Sequence, residues 1–206
     1  MDRLDSLQEH LSKMPGIGAR QARRLAFFLL QSPNAYVDDL VDAMTQARSI
    51  RHHCSQCNRL FFLSNSHQSR DECQTCADSS RDGTKLMLVA RQADFEQIER
   101  SGSWRGYYFI LGRLARLADK QPLEKLPMGL LNQRLADFDL QEVVFALPVN
   151  PEGEYTAQIL EDHMVQNTAL ASMSRTYLAR GLSAGSELEY ADESTIAQAV
   201  ANRAGH

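Results

Sequence analysis

The sequence lacks any apolar run long enough to span a membrane. No stretch of the 206 residues approaches the ~18 uninterrupted apolar residues that a membrane-spanning helix requires. The amino-terminal stretch MDRLDSLQEHLSKM is charged and contains no continuous apolar segment, so it does not have the pattern of a secretory signal. We therefore expect a cytoplasmic protein.

Three short enzyme signatures are missing as well. The P-loop pattern G-x-x-x-x-G-K-[ST] and the G-x-S-x-G turn of α/β-hydrolases do not occur. Gly102, Gly106 and Gly112 are too scattered to form a dinucleotide-binding fingerprint. The sequence also contains no low-complexity tract and no internal repeat of fixed period. Nucleotide-binding and hydrolase functions of these types are therefore unsupported.

Acidic residues are absent from two long stretches in the first third of the chain. The formal net charge of −4 gives no indication of nucleic-acid binding. Between Glu9 and Asp38, however, and again between Asp42 and Asp71, every charged residue is basic; these residues are Lys13, Arg20, Arg23, Arg24, Arg48, Arg51, Arg59 and Arg70. This pattern indicates a basic face, although arginines on solvated helix surfaces produce the same pattern.

Apolar residues make up 43% of the chain, which is enough for a hydrophobic core, and their period changes along the sequence. Helical spacing predicts a helix at 2–13, a second helix that the residues QSPN end, and a third at roughly 35–50. The turn-rich segment 77–84 is expected to be a linker, and 112–127 a loop or broken helix. From Lys85 onward, strand-like apolar runs alternate with helical segments at 93–101, 128–138, 154–166 and 192–203. The runs are LMLVA (86–90), YYFIL (107–111), VVFAL (143–147) and TYLA (176–179). This alternation predicts a mostly parallel sheet covered on its faces.

All four cysteines fall in one pattern. Two C-x2-C pairs are separated by fifteen residues, and their members are Cys54, Cys57, Cys73 and Cys76. Each pair can turn both sulfurs toward one ion, and four thiolates suit tetrahedral zinc. Because a set of four leaves no open position, we expect a structural site. The alternative is a set of unrelated or redox-active cysteines. Nearby histidines are expected not to be ligands; these are His52, His53 and His67.

The stretch MPGIGARQARRLAFFLL, residues 14–30, predicts a glycine-containing turn between two helices. Glycines let a phosphate backbone approach closely, and the free N–H groups at a helix start favour an anion. This arrangement predicts sequence-nonspecific DNA binding by Lys13, Gly16, Gly18, Arg20, Arg23 and Arg24. The alternative is a turn in which the glycines serve helix packing alone. Apolar residues of the same helix are expected to hold a neighbouring helix or subunit; these are Leu25, Phe28 and Leu29.

Acidic residues beyond position 90 have two interpretations. Metal-dependent phosphoryl transfer would need carboxylates at several strand ends, for which Asp94, Glu152 and Glu154 are the candidates. Acidic residues at a helix start more often complement the helix dipole, and we favour that interpretation. The patch of Glu187, Glu189, Asp192 and Glu193 before the last predicted helix has the same plain interpretation; the alternative is a metal, nucleotide or partner site.

The order of these motifs resembles the RecR family of bacterial recombination mediators over nearly the whole chain. The resemblance rests on MPGIGARQARRLAFFLL, the cysteine cluster, ERSGSWRGYYFILG and ARGLSAGSELEYADE. It implies a multi-module α/β fold with four parts. These are a helix-hairpin-helix domain (1–53), a small C4 zinc finger (54–76), a Toprim-like α/β domain with a mostly parallel sheet and flanking helices (80–180), and a C-terminal Walker-B-like acidic segment with a helix (181–206).

The resemblance also implies a function. Members of the family act in DNA repair and recombination, where with RecO and RecF they help to load RecA on single-stranded DNA at gaps, and they form dimers and tetrameric rings. The four cysteines match the family's zinc ligands, and the hairpin residues match the region that meets DNA. Glu189, Asp192 and Glu193 match an acidic tail motif that would contact a partner or a nucleotide. Arg91 stands where the family has a carboxylate, which argues against magnesium binding there.

We therefore expect a non-enzymatic, zinc-containing clamp or scaffold that binds DNA without base readout. Its expected partners are RecO-like and RecF-like proteins and further copies of itself. One alternative is a magnesium-dependent Toprim phosphoryl-transfer enzyme, nuclease-like or primase-like, that uses Asp94, Glu152 and Glu154. A second alternative is a protein-interaction adaptor without DNA affinity, which the net charge of −4 permits.

Overall fold

The structure, a computed structural model, describes residues 2–63, 71–136, 139–167, 170–178, 185 and 187–201. The chain divides between residues 51 and 52 into two units. The first unit is helical, and the second contains the cysteine cluster and a parallel sheet. Among the described residues, no helix combines the length and the apolarity that crossing a membrane requires.

The helical unit consists of α1 (Arg3–Ser12), α2 (Ala19–Gln31) and α3 (Asn34–Ser49). Helices α1 and α2 pack together around Leu11, Ala22 and Ala26, because two alanines four residues apart form a flat helix face that a neighbour can approach closely. Helix α3 buries no residue. The predicted bounds of the first and third helices are confirmed to within one residue.

The second unit is built on a four-stranded sheet in the order β4-β3-β5-β6, in which every described pairing is parallel. Its strands are β3 (Asp82–Val89), β4 (Gly106–Ile110), β5 (Glu142–Ala146) and β6 (Ser174–Tyr177). In this register, Leu88 of the central strand β3 lies opposite Phe109 on one side and Phe145 on the other. The predicted mixed α/β class with a parallel sheet and flanking helices is confirmed.

Both faces of the sheet are covered, because alternate residues of a strand point in opposite directions. The helices that follow strand β3 in the chain are α5 (Gln92–Ser101), α6 (Met128–Ala136), α7 (Pro151–Gln166) and α8 (Glu193–Ala201). Leu86 and Leu88 of β3 belong to a large core that includes residues of α6 and α7. Met87 and Val89 belong to a smaller core with Phe95 of α5.

A small module that contains the cysteines is attached to the edge strand β4. It consists of β1 (Arg51–His53), β2 (Leu60–Phe62) and the short helix α4 (Gln74–Ala77). The backbone N–H of Ile110 donates to the carbonyl of Cys57 at 2.9 Å, and the side-chain amide of Asn58 donates to the carbonyl of Ile110 at 2.8 Å. The buried Arg134 of α6 donates to the side-chain oxygen of Gln56 at 2.9 Å. These bonds join the module to the sheet and to α6.

Several predicted segments have different bounds in the structure. The predicted helix 154–166 begins three residues earlier, at Pro151. Strand β3 begins at Asp82, so the last three residues of the segment predicted as a linker, 77–84, belong to the sheet. The segment 112–127, predicted to be a loop or broken helix, contains one turn of 3₁₀ helix, Leu123–Lys125. The predicted strand 176–179 begins earlier, at Ser174, and its last residue lies outside the described residues. The predicted helix 192–203 begins at Glu193 and is described to Ala201.

Candidate metal centre and nucleic-acid interface

The four cysteine sulfurs lie close together in the interior of the module. All four residues are buried, and their sulfurs lie within 4.8 Å of one another. The Sγ atoms of Cys57 and Cys73 are 3.7 Å apart, and all four cysteines are free thiols. Sulfurs held about 2.3 Å from a central ion at tetrahedral corners would be about 3.8 Å apart. The arrangement therefore has room for one metal ion between the sulfurs.

Local backbone geometry brings the two cysteine pairs together. In the first pair, Asn58 adopts a left-handed conformation with φ of 60°, which lets the chain reverse so that the N–H of Cys54 donates to the carbonyl of Arg59 at 2.8 Å. In the second pair, Cys73 lies at the start of α4 and Cys76 within it. The N–H of Cys73 donates to the sulfur of Cys54 at 3.4 Å, which links the two pairs directly.

The thiols of this cluster perturb one another strongly. Hydrogen bonds from Cys57, Cys73 and Cys76 lower the pKa of the Cys54 thiol, whereas hydrogen bonding to Cys54 raises the pKa of Cys57 and of Cys76. The protein alone therefore does not favour four ionised sulfurs at once. A divalent cation would supply the charge that four thiolates need, so the donor set fits a soft metal ion.

Among the described residues, neither His52 nor His53 belongs to the group of side chains that could hold a metal ion. The ring of His52 instead packs against that of Phe61, with 5.7 Å between the ring centroids. His67 lies outside the described residues.

The predicted hairpin places two glycines between α1 and α2. Gly16 has φ of +77°, a left-handed conformation that other residues adopt at a cost, and no atom lies within 4 Å of where its Cβ would be. Gly18 is the last residue before α2 and has no side chain with which to cap the helix. The turn therefore leaves the first N–H groups of α2 without a side-chain cap, as an anion site at a helix start requires.

Every basic residue that the sequence assigned to DNA is exposed in the structure. Lys13 is ion-paired with Glu9, four residues earlier on α1, at 2.7 Å. Arg23 lies over the ring of Phe27, with its guanidinium carbon 5.8 Å from the ring centroid. Arg20 and Arg24 make no ion pair with any described residue. The sequence-based expectations did not include the ion pair between Lys13 and Glu9, although a spacing of four residues on a helix indicates such a pair.

The carboxylates proposed for magnesium do not converge. The only group of three or more metal-ligating side chains among the described residues is the cysteine cluster. Asp94 accepts a hydrogen bond at 2.9 Å from the backbone N–H of Arg91, at the start of α5. Glu152 and Glu154 lie in the first turn of α7, where they complement the helix dipole. The magnesium site required by the enzymatic alternative is therefore not assembled in the described structure.

The acidic tail residues also lie at a helix start. Asp192 accepts hydrogen bonds from the backbone N–H and from the hydroxyl of Thr195, at 2.9 and 2.6 Å, and so begins α8. Glu193 is the first residue of α8, and Glu189 lies in a 3₁₀ turn, Leu188–Tyr190. Residues 179–184 and 186, which complete the predicted tail motif, lie outside the described residues. The geometry of the described part agrees with a helix-capping role for Asp192.

Comparisons with known proteins agree with the order of these parts. The family model described as RecR, helix-hairpin-helix, matches residues 4–48, and the model described as RecR, C-terminal, matches residues 181–204. A protein named recombination protein RecR from Caulobacter vibrioides is 36% identical over 193 residues, which cover 94% of this chain and 91% of the relative. A protein of the same name from Prochlorococcus marinus is 34% identical over 200 residues, covering 97% of this chain and 94% of the relative.

Proposed function

This chain belongs to the RecR family of recombination proteins, and on that premise we propose that it acts in the cytoplasm as a DNA-binding scaffold in recombinational repair. Its proposed task is to help RecO-like and RecF-like proteins to load RecA on single-stranded DNA at gaps. The observation that carries the proposal is the hairpin, where two exposed arginines that form no ion pair with any described residue lie beside the uncapped start of α2. DNA repair and recombination is the role of the family itself.

The hairpin would hold the sugar–phosphate backbone without reading bases. Arg20 and Arg24, four residues apart on α2, are exposed and lie on one face of the helix. The bare backbone at Gly16 and Gly18 lets a phosphate approach the first N–H groups of α2. Lys13 is the weaker candidate, because Glu9 already neutralises its charge. Contacts of this kind release counterions, so DNA affinity should fall steeply as salt is added.

The cofactor we propose is one structural zinc ion held by Cys54, Cys57, Cys73 and Cys76. Four buried thiols whose sulfurs lie within 4.8 Å of one another support this assignment, because zinc is the usual ion of closed four-cysteine sites. When bound, the ion would fix the two cysteine pairs in one arrangement. The hydrogen bonds that Cys57 and Asn58 make with Ile110 would then hold the first cysteine pair in a fixed position on strand β4.

We also propose that the chain works as a homodimer or a tetrameric ring. Helix α3 supports this proposal, since it presents apolar residues to solvent and buries none. Four of them lie at the spacing of a single helix face, and all but the first are exposed; they are Val37, Leu40, Val41 and Met44. Leu25 and Phe28 of α2, predicted to hold a neighbouring helix or subunit, are also exposed within one chain. A contiguous exposed apolar surface of this kind is typical of an interface.

The four-part division made from the sequence stays a proposal, as do the roles of Glu189, Asp192 and Glu193 toward a partner or a nucleotide. We further propose that the chain is not an enzyme. Magnesium-dependent nicking of labelled DNA that Glu152→Ala abolishes would contradict this part of the proposal. The engagement of Asp94 in the start of α5 supports it.

The DNA-contact proposal is tested with the double variant Arg20→Glu, Arg24→Glu. We expect its affinity for a fluorescently labelled single strand to fall by at least ~10-fold at low salt. We also expect the slope of log affinity against log salt to become shallower by about 1.4, since each lost phosphate contact on a single strand contributes about 0.7. Arg48→Glu, a charge reversal at the exposed end of α3, serves as the matched control. An unchanged affinity and slope in the double variant would overturn the proposal.

A further inference from the structure

A cleft of about 780 Å³ separates the cysteine module from helix α5, within the second unit. One wall comes from the module and includes Arg59 and Thr75; the other comes from α5 and includes Phe95 and Glu99. None of the residues predicted to bind zinc or DNA lines this cleft. Its walls carry both arginines and carboxylates, so it is neither a purely apolar groove nor a uniformly basic channel.

Arg59 is fixed in this cleft by contacts that do not neutralise its charge. Its guanidinium carbon lies 4.3 Å from the centroid of the Phe95 ring, and its Nη1 donates to the hydroxyl of Thr75 at 3.1 Å. Its Nε is buried and has no hydrogen-bond partner among the described residues. No described carboxylate forms an ion pair with it. A buried N–H without an acceptor is costly, so an acceptor brought by a ligand would be favoured.

The neighbouring Arg81 has its charge paired within the described part of the chain, although its Nε, like that of Arg59, lacks a hydrogen-bond partner there. It is ion-paired with Glu99 and with Asp78, the latter at 3.6 Å, and it donates to the carbonyl of Gly106 at 3.2 Å. The two arginines therefore differ in their charge pairing, since described carboxylates pair with Arg81 and none pairs with Arg59. A carboxylate brought by a ligand would pair with Arg59 as Glu99 pairs with Arg81.

We infer that this cleft binds a peptide segment of a partner protein through one acidic side chain, which pairs with Arg59. A nucleic acid fits less well, because Asp78, Glu96 and Glu99 line the same cleft and would repel a backbone that carries a charge on every phosphate. A peptide carries isolated charges, so a single glutamate or aspartate can reach Arg59 while uncharged neighbours face the acidic wall. The ring of Phe95 and the methyl group of Ala77 provide apolar contact.

The inference rests on the scaffold role proposed above only in assuming a protein partner, and it does not require the hairpin to bind DNA. The test uses the full-length, zinc-loaded protein labelled with ¹⁵N, and follows the Nε–Hε resonance of Arg59, assigned by its absence in Arg59→Lys. The probe is the peptide Ac-Ala-Glu-Ala-NH₂. The controls are Ac-Ala-Gln-Ala-NH₂ and a thymidine dinucleotide.

A saturable shift with the glutamate peptide alone is the expected result, at a dissociation constant of roughly millimolar because the probe makes a single charged contact. No saturable shift, or an equal shift with the glutamine peptide, would overturn the inference. An equal or larger shift with the dinucleotide would also overturn it, since the cleft would then prefer a phosphate.

The variant Arg59→Lys gives a second readout, because it keeps the charge but loses the planar N–H edge. We expect it to bind the glutamate peptide about tenfold more weakly, while Arg105→Lys, an exposed arginine outside the cleft, binds as before. Zinc content and DNA affinity are measured on the same samples. Normal DNA binding with no peptide binding rejects only the cleft, and the reverse result rejects only the hairpin.

Discussion

The two units of this chain achieve order in different ways. The unit of residues 52–206 has two hydrophobic cores on opposite faces of a parallel sheet, and the cysteine module is tied to the sheet by hydrogen bonds. Among its described residues, the helical unit buries only Leu11, Ala22 and Ala26 in its core, and its longest helix buries nothing. The sheet unit is thus defined by its own interior, whereas the helical unit leaves much of its apolar surface exposed.

This difference in packing suits the two units to different roles. A unit with a dense core can hold sulfurs and a charged cleft in fixed positions, since close packing leaves side chains little freedom. A unit with an open apolar surface and exposed arginines is suited to meeting other molecules. Four predictions test the contrast, in order of decreasing effect on the free energy of unfolding.

Removing the proposed zinc ion should cause the largest change, and only in the second unit. For Cys57→Ser, or after treatment with a chelator, we expect the free energy of unfolding of that unit to fall by several kcal/mol, because metal binding contributes directly to folding. Zinc content and thermal denaturation measure the effect. Zinc affinity should also fall as the pH falls, since protons compete with the metal for the thiolates. Ser55→Ala, an exposed change in the same loop, is the control, and an unaltered melting curve for Cys57→Ser would contradict the prediction.

Glycine-to-alanine substitutions should distinguish positions where a steric clash lowers the free energy of unfolding from positions where an unfavourable backbone conformation does. A Cβ at Gly153 would lie 2.0 Å from the carbonyl oxygen of Pro148, so we expect Gly153→Ala to cost roughly 2–4 kcal/mol. At Gly16 nothing is close, but the left-handed φ should make Gly16→Ala cost about 1–2 kcal/mol. Gly129→Ala, in open space within α6, should be neutral or stabilising. Chemical denaturation measures all three, and equal costs for Gly153 and Gly129 would contradict the packing explanation.

A charge on helix α3 should change assembly with little effect on the fold of one chain. Val41 is 55% exposed, so Val41→Lys buries no charge within the chain. If another copy covers this face, the variant should have a smaller mass in light scattering, because a lysine at an apolar interface must be desolvated. Gln46→Lys adds the same charge at another exposed position of α3 and should leave the mass unchanged. Identical masses for the wild-type protein and both variants would remove the support for assembly through α3.

The smallest effect concerns the ion pair beside the hairpin. The hydrogen bond from Lys13, together with its charge, lowers the pKa of the Glu9 carboxyl below its ordinary value. A pKa lowered by folding contributes stability at pH values above the unfolded pKa, and that contribution is lost as the pH falls through the folded pKa. Both groups are exposed, so the contribution is small. Carboxyl NMR titration should show the pKa of Glu9 rising in Lys13→Ala, and a pKa that does not move would refute the assignment.

Much of this structure follows from local pattern. The bounds of α1 and α3 are confirmed because apolar spacing and the helix breaks at PGIG (15–18) and QSPN (31–34) are local signals. The parallel sheet is confirmed for a similar reason, since short apolar runs separated by helices allow few other folds. Within each cysteine pair the two sulfurs are brought together by a local turn. The two pairs themselves are separated by fifteen residues in the sequence.

Other features depend on residues that are far apart in the sequence. The site of Arg59, which lies just before strand β2, needs Phe95 of helix α5, and the buried Arg134 of α6 donates to Gln56 of the cysteine module. No spacing rule connects such residues, because their proximity results from how elements pack. The alternative magnesium site shows the converse. Asp94 and Glu152 both follow strands of one sheet. Asp94, however, accepts a hydrogen bond at the start of α5, and Glu152 lies in the first turn of α7, so the two carboxylates do not form one site.

The sequence by itself determined the cysteine ligand pattern, the glycine turn with its exposed arginines, the helices, and the parallel sheet, because each rests on short-range chemistry. Only the tertiary structure decided the order β4-β3-β5-β6, the attachment of the cysteine module to the edge strand, the exposure of α3 and the cleft around Arg59. These features depend on which apolar surfaces pack against each other. That packing depends on the shapes of surfaces assembled from distant parts of the chain.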